Sequence, residues 1–395
     1  MSDNDSQTAQ PIFLDYQATT PTDPRVVEAM RPYFNERFGN PHSVHHVYGR
    51  DAAEAVERAR QHIAALIGAE AREIVFTSGA TESNNLAIKG AARFLAERKS
   101  HLITLASEHK CVLESCKRME QEGYRLTVLN PGPDGLIDPA RIAEAIEEDT
   151  ALVSVMAVNN EIGVIQPLAE IGALCRERGV LFHSDAAQAA GKIPLDVNAM
   201  AIDLLSLSGH KMYGPKGIGA LYVRRRPRVR LEPLIDGGGQ ERGHRSGTLP
   251  APLCIGLGRA AEIAAEEMAA ESERLAGFSA RFRALLEAGL EGVQVNGALD
   301  ARFPGNLNVS FPGLEAETLI EAMPELAVST GSACTSASVE PSYVLRSLGL
   351  PDERARGSLR IGFGRFTRDA EVERAAEIVI AAVRRLQAGA SEAAE

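Results

Sequence analysis

Between about residue 50 and residue 222 the chain alternates short apolar runs with stretches of helical periodicity, and that alternation leaves few folds open. "EIVFTS" (73–78), "HLITLAS" (101–107), "ALVSVMAVNN" (151–160), "GVLFHSDA" (179–186) and "IDLLSLS" (202–208) read as strands. Each is near-continuously apolar rather than apolar at every second position, as a strand covered on both faces must be. Helical segments separate them, among them "GATESNNLAIKGAARFLAER" and a helix through Met119. The pattern predicts an α/β fold with a mainly parallel sheet, in which ligands gather at the C-terminal strand ends. After "RSGTLPAP" a helix-rich stretch runs from about 252 to 290 and short strands follow in "NLNVSF" (306–311) and "LRIGFG" (359–364). These predict a second, smaller α+β domain of roughly a hundred residues.

Composition narrows the class. No run approaches the ~20 apolar residues that span a bilayer. The opening "MSDNDSQTAQP" lacks the basic and apolar regions of a signal peptide and the arginines of a transit peptide, so it is expected to be a disordered tail. The end, "LQAGASEAAE", is expected to fray. A net charge of −11 argues against nucleic acid as a direct partner. The local exception is "VRRRPRVRL" (223–231), read either as a solvated strand end or as a docking face for an acidic protein or a tRNA. The cysteines, Cys111, Cys116, Cys175, Cys254 and Cys334, are odd in number and form no C-x-x-C pair. They fit neither a disulfide framework nor a zinc site, and a cytoplasmic location is expected.

The polar clusters fall at predicted strand ends. "TSGATES" places Gly79, Ala80 and Thr81 at a strand-to-helix turn, where backbone N–H groups and a hydroxyl suit either an anion or an ordinary N-cap. "FHSDAAQ" puts Asp185 just past a strand with Gln188 nearby. Asp185 could cap a helix, bind metal or pair with a protonated ring nitrogen. Metal is disfavoured because ligand partners at the right spacing are lacking, His183 being read as facing the other way. "SLSGHKMYGPKG" places Ser208, His210 and Lys211 at another strand end. Of the seven lysines (Lys89, Lys99, Lys110, Lys117, Lys192, Lys211, Lys216), only Lys211 stands apart from helical or charged surroundings. A lysine near a core needs a partner or a chemical role. An amine, a carboxylate and a phosphate cradle together meet the needs of pyridoxal phosphate, whose aldehyde binds an amine and whose ring draws electrons from a substrate carbon.

A resemblance sharpens this. "LDYQATTP", "FGNPHS", "IVFTSGATESNNLAIKG", "EHK", "VNNEIGVIQP", "SDAAQ", "SGHKMYGPKGIGALYVRR", "RSGTLP", "STGSACTSAS" and "LRIGFGRFT" occur in the order found in cysteine desulfurases, over residues 12 to 388. The chain resembles the IscS/NifS branch, with its long cysteine loop, rather than the SufS branch. The resemblance implies the fold type I architecture of pyridoxal-phosphate transferases. A large domain (12–255) would hold a mainly parallel seven-stranded sheet, with segment 12–20 packing on a small domain (256–388) that carries the Cys334 loop. Residues 1–11 and 389–395 would be tails.

The same resemblance implies roles. Lys211 would hold the cofactor and move protons at the substrate α-carbon, and Asp185 would pair with the ring nitrogen. Gln188 and Asn160 would bond the ring oxygen, and His109 would stack on the ring as an acid/base. Ala80, Thr81, Ser208, Gly209 and His210 would hold the phosphate, joined by Thr248 of a second copy in a homodimer. Arg360, with Asn160, would clamp the substrate carboxylate. In isolation His109 reads as a surface helix-start residue, Asn160 as a turn former and Arg360 as a surface strand residue; only together do they point to this family.

Cys334 sits among small residues that suit a mobile loop, and would take sulfur from L-cysteine as a persulfide, leaving L-alanine. A thiol of pKa ~8.5 must first lose its proton, to His109 or to the substrate. The acceptor would be an iron–sulfur scaffold protein or another sulfur acceptor, tRNA thiolation included. No intrinsic metal is expected, only a cluster that Cys334 ligates transiently on a scaffold. Family members of the IscS type usually carry a longer C-terminal tail, so that docking mode is in question and a NifS-like role is open. Two other readings remain: a related class V aminotransferase or selenocysteine lyase, and a non-catalytic sulfur-transfer scaffold.

Overall fold

The computed structural model describes residues 10–330 and 340–392. The expectations for the outer N-terminal tail, for the loop holding Cys334 and for the last three residues lie outside them. Twelve strands occur among the described residues: β1 (Ile12–Phe13), β2 (Ile74–Thr77), β3 (His101–Leu105), β4 (Arg125–Leu129), β5 (Thr150–Ser154), β6 (Leu181–Asp185), β7 (Leu204–Ser208), β8 (Gly219–Val223), β9 (Gln294–Val295), β10 (Asn306–Ser310), β11 (Leu326–Ala327) and β12 (Ser358–Gly362). Seven of them form one sheet in the order β2-β8-β7-β6-β5-β3-β4, with β8 alone running against its neighbours.

The continuous apolar runs have a direct structural reason. Ile74 and Phe76 of β2 face one core and Val75 the other, while Ile103 and Leu105 are separated in the same way from Leu102. Leu205 and Leu207 of β7 likewise face away from Leu204. Both sides of the pleat are therefore covered and the runs are apolar nearly throughout, with small hydroxyls such as Thr104 and Ser206 buried among them. The helix Ala80–Leu95 closes one face through Leu86, Ala87 and Ala91, and the helix Val47–Leu66 packs with the helix Ala251–Gly289 on the other. Among the described residues no helix is long and apolar enough to cross a membrane.

The smaller unit is built on the three-stranded antiparallel sheet β12-β10-β9, with the helix Asp369–Glu392 beside it. The helix Ala251–Gly289 is 39 residues long and passes residue 255 unbroken. Its first half buries Cys254, Leu257 and Ala261, and its second half buries Phe278 and Phe282, the latter edge-on to Phe363 at 5.5 Å. The N-terminal segment crosses between the two units. β1 pairs in parallel with β11, and the amide of Gly362 donates to the Leu14 carbonyl at 2.7 Å.

One contact fixes the strand ends themselves. A Cβ on Gly219, the first residue of β8, would lie 2.4 Å from the Leu207 carbonyl oxygen and 2.7 Å from the Cα of Gly79. Only glycine lets β8 begin so close to the turn after β2. Gly219→Ala is therefore expected to cost about 1–3 kcal/mol through backbone displacement. A thermal melt checks this: a transition lowered by several degrees is expected, and an unchanged melt contradicts it.

Candidate active site

Because six of the seven strands run one way, their C-terminal ends share one edge of the sheet, and a cleft of about 620 Å³ opens there. Ser78 to Thr81 follow β2, His109 follows β3, Met156 to Asn160 follow β5, Asp185 ends β6, and Ser208 to Lys211 close β7. The cleft is lined by Ala80, Thr81, His109, Asn160, Asp185, Gln188, Ser208, His210, Lys211 and Arg360 from the sequence-predicted set. Gly209 does not line it; a Cβ there would meet the Pro215 carbonyl at 2.8 Å, so its evident role is close packing under the turn. Thr248 is exposed and outside the cleft of its own chain. Cys334 lies outside the described residues.

Lys211 sits in the short turn Gly209–Lys211. Its Nζ donates to the backbone carbonyls of Gln17 and Ala18, the second at 2.8 Å. Asp185 is buried, accepting at 2.6 Å from Asn84 Nδ2 and at 2.9 Å from the Ala187 amide. Gln188 donates through Nε2 to the Gln17 carbonyl at 2.8 Å. His109 caps the helix Lys110–Gln121, its Nδ1 accepting from the Cys111 amide at 3.2 Å. That bond leaves Nδ1 as the acceptor nitrogen and places any ring proton on Nε2.

Arg360 is 3% exposed, donating from Nη1 to the Asn160 carbonyl at 2.9 Å and from Nη2 to Asp15 Oδ1 at 2.7 Å. Its Nε and the side-chain Oδ1 of Asn160 are buried with no hydrogen-bond partner among the described residues. Burial, reinforced by the charges of Lys211, Lys216 and Lys192, pushes His210 down to about 4, so the ring is neutral near pH 7; its Nδ1 lies 3.0 Å from Thr19 Oγ1.

His183 corrects one expectation. Residues two apart on a strand share a face, so it lies on the same side as Asp185 rather than facing the other way. It is fully buried between Ser154 Oγ at 2.8 Å and Ser206 Oγ at 3.0 Å, and burial pushes it down to about 3. This is a hydrogen-bonded core imidazole. Among the described residues no group of three His, Cys, Asp or Glu could hold a metal.

The donor set fits a phosphorylated aldehyde. Gly79, at φ 150°, starts the helix Ala80–Leu95 with no side-chain cap, and a Cβ there would meet nothing within 4 Å. Open space before an uncapped helix start suits an anion. The sequence reasoning missed Asp15, Gln17, Asn84, Cys111 and Lys192. "SNN" inside an otherwise apolar helix was a usable signal for Asn84, which is fully buried. Cys111 lines the cleft, with Sγ 3.0 Å from His109 Nδ1 and 3.1 Å from Asn84 Nδ2.

A class-V aminotransferase family model matches residues 12–375. The chain is 59% identical over 377 residues to a cysteine desulfurase IscS of Rickettsia bellii, covering 95% of this chain and 92% of that one. Among solved structures it is similar to a NifS-like protein (TM-score 0.88, 34% identity, 96% of this chain and 100% of that one) and to SspA in complex with cysteine (TM-score 0.80, 42% identity, 90% and 99%). The chain belongs to the class-V aminotransferase family and, within it, to the cysteine desulfurases.

Two of the depressed histidines, His183 and His210, make stability depend on pH. Each binds its proton more weakly folded than unfolded, so the unfolded state holds more protons between about 4 and 6.5, and stability falls as pH falls through that window. The melting temperature is expected to drop on going from pH 7 to pH 4, and less steeply in His210→Gln. Equal slopes for the two proteins contradict the assignment.

Proposed function

We propose that the protein removes sulfur from L-cysteine, using pyridoxal phosphate held by Lys211 and passing the sulfur to Cys334 as a persulfide. The observation that carries this reading is the convergence of Lys211, Asp185, Gln188 and the uncapped turn Gly79–Thr81 on one cleft. Bound there, the cofactor would supply an aldehyde that joins an amine and a ring that draws electrons from the substrate α-carbon. Asp185, held in place by Asn84, would face the ring nitrogen. Ala80, Thr81, Ser208 and His210 would hold the phosphate, with His210 acting as a neutral partner. Arg360, whose buried Nε has no hydrogen-bond partner among the described residues, would take the substrate carboxylate beside Asn160.

In the net step the carbon–sulfur bond breaks, a sulfur–sulfur bond forms to Cys334, and the α-amino acid leaves as alanine with the proton count unchanged. His109 and Lys211 are the groups placed to move protons. Both flanks of the segment carrying Cys334 are fastened to residues of this region. The Arg360 amide donates to the Ser329 carbonyl at 2.7 Å, and Ser342 Oγ donates to Glu161 at 2.5 Å, next to Asn160. That supports Cys334 as the acceptor of sulfur.

A second copy would complete the site. Thr248 stands outside its own cleft, and Phe34, Phe38, Val44, Val47 and Tyr48 are each more than half exposed, an apolar face suited to a homodimer. The persulfide would pass to an iron–sulfur scaffold protein or another sulfur acceptor.

The reading is tested by supplying L-cysteine and pyridoxal phosphate with a thiol reductant and measuring alanine and sulfide. Equal amounts of both are expected. Cys334→Ser should still take up the cofactor and lose persulfide formation; sulfide release at the wild-type rate contradicts its role. Arg360→Gln is expected to weaken substrate use by roughly 1.5–3 kcal/mol, about 10- to 150-fold in kcat/KM. A wild-type kcat/KM removes the carboxylate clamp.

A further inference from the structure

A second lysine lies behind the first. Lys192 is 6% exposed, and its Nζ donates to Gln188 Oε1 at 2.8 Å and stands 5.4 Å from the centre of the Phe303 ring. It thus meets a neutral amide oxygen and an aromatic face. A methionine or leucine would fill such a place without the cost of a buried ammonium. Burial, then the nearby charge of Lys211, lowers its proton affinity to about 7, and Arg360 acts in the same direction while Glu271 opposes.

The partner makes the placement meaningful. A glutamine amide presents an oxygen at one end and an NH2 at the other, in nearly the same shape. Protonated, Lys192 only donates and so favours Oε1 towards itself, in concert with the Gln17 carbonyl, which only accepts and takes the NH2 at the other end. In the structure that NH2 donates to the Gln17 carbonyl, the same carbonyl that accepts from Lys211. The four groups form one line: Lys192, Gln188, the Gln17 carbonyl and Lys211.

We propose that Lys192 is a positioning residue that fixes the direction of the Gln188 amide, so that its NH2 is the end offered to a cofactor held at Lys211. The inference rests on the cofactor reading above. Lys192 touches neither cofactor nor substrate and acts through Gln188. Its role differs from packing, because packing needs volume at this place while orienting an amide needs a donor.

The test is a pH titration of the visible absorbance of the protein loaded with pyridoxal phosphate, in wild type, Lys192→Met and Lys192→Gln. Lys192→Met removes the donor and the charge, and its midpoint is expected to rise by about one pH unit, roughly tenfold in proton affinity. Its kcat on cysteine should fall by a similar factor while KM changes little. Lys192→Gln keeps a donor and should move less, in the same direction. A variant that melts like wild type yet refuses the cofactor also supports the inference. An unmoved midpoint in Lys192→Met, or equal shifts in the two variants, overturns it, and collapse of the fold in both marks Lys192 as structural and overturns it too. A wild-type protein that stays colourless with added cofactor removes the cofactor reading, and this inference falls with it.

Discussion

The structure depends on how one ammonium is held. Lys211 is tied to the backbone carbonyls of Gln17 and Ala18. Those carbonyls belong to the segment that enters from β1, pairs with the smaller unit and crosses the sheet edge. The same segment receives Gln188, reaches the Gly305 carbonyl through Gln17 Nε2, and takes the Thr20 amide to the His210 carbonyl. Carbonyl dipoles stabilise a charged amine less firmly than an ion pair does.

Charge around the cleft follows from the same edge. Lys192, Lys211, Lys216 and Arg360 bring positive charge to it, and His210 stays neutral because it is buried and because the three lysines also oppose its protonation. Asp185 and Asp15 supply the countercharge, each engaged by a specific donor: Asn84 for Asp185, Arg360 for Asp15. Such a field favours an anionic ligand while leaving one carboxylate for a cationic ring nitrogen. The overall charge of −11 says nothing of this local inversion.

Much of the fold was legible because burial on both faces writes itself into consecutive apolar residues, as in β2, β5 and β7. β4 was not, since it is an edge strand with a half-exposed pattern led by Arg125. The passage of the helix Ala251–Gly289 over residue 255 was hidden as well, because both of its halves bury residues in one continuous core and its pattern does not change at that point. Of the site, Lys211, Asp185 and the Gly79–Thr81 turn stood out as polar residues at strand ends. Arg360, His109 and Asn160 came forward only through family resemblance, since each alone reads as an ordinary surface residue. Gln17 and Lys192 were silent: what sets them apart is burial against a partner distant in sequence, and neither periodicity nor spacing encodes that.

The central claim is that the amine of residue 211 is the one that holds the cofactor. Borohydride reduction of the protein loaded with pyridoxal phosphate, followed by peptide mass mapping, tests it most directly. The reduced adduct is expected on the peptide containing Lys211; an adduct confined to Lys192 or Lys216, or no stoichiometric adduct at all, contradicts that assignment.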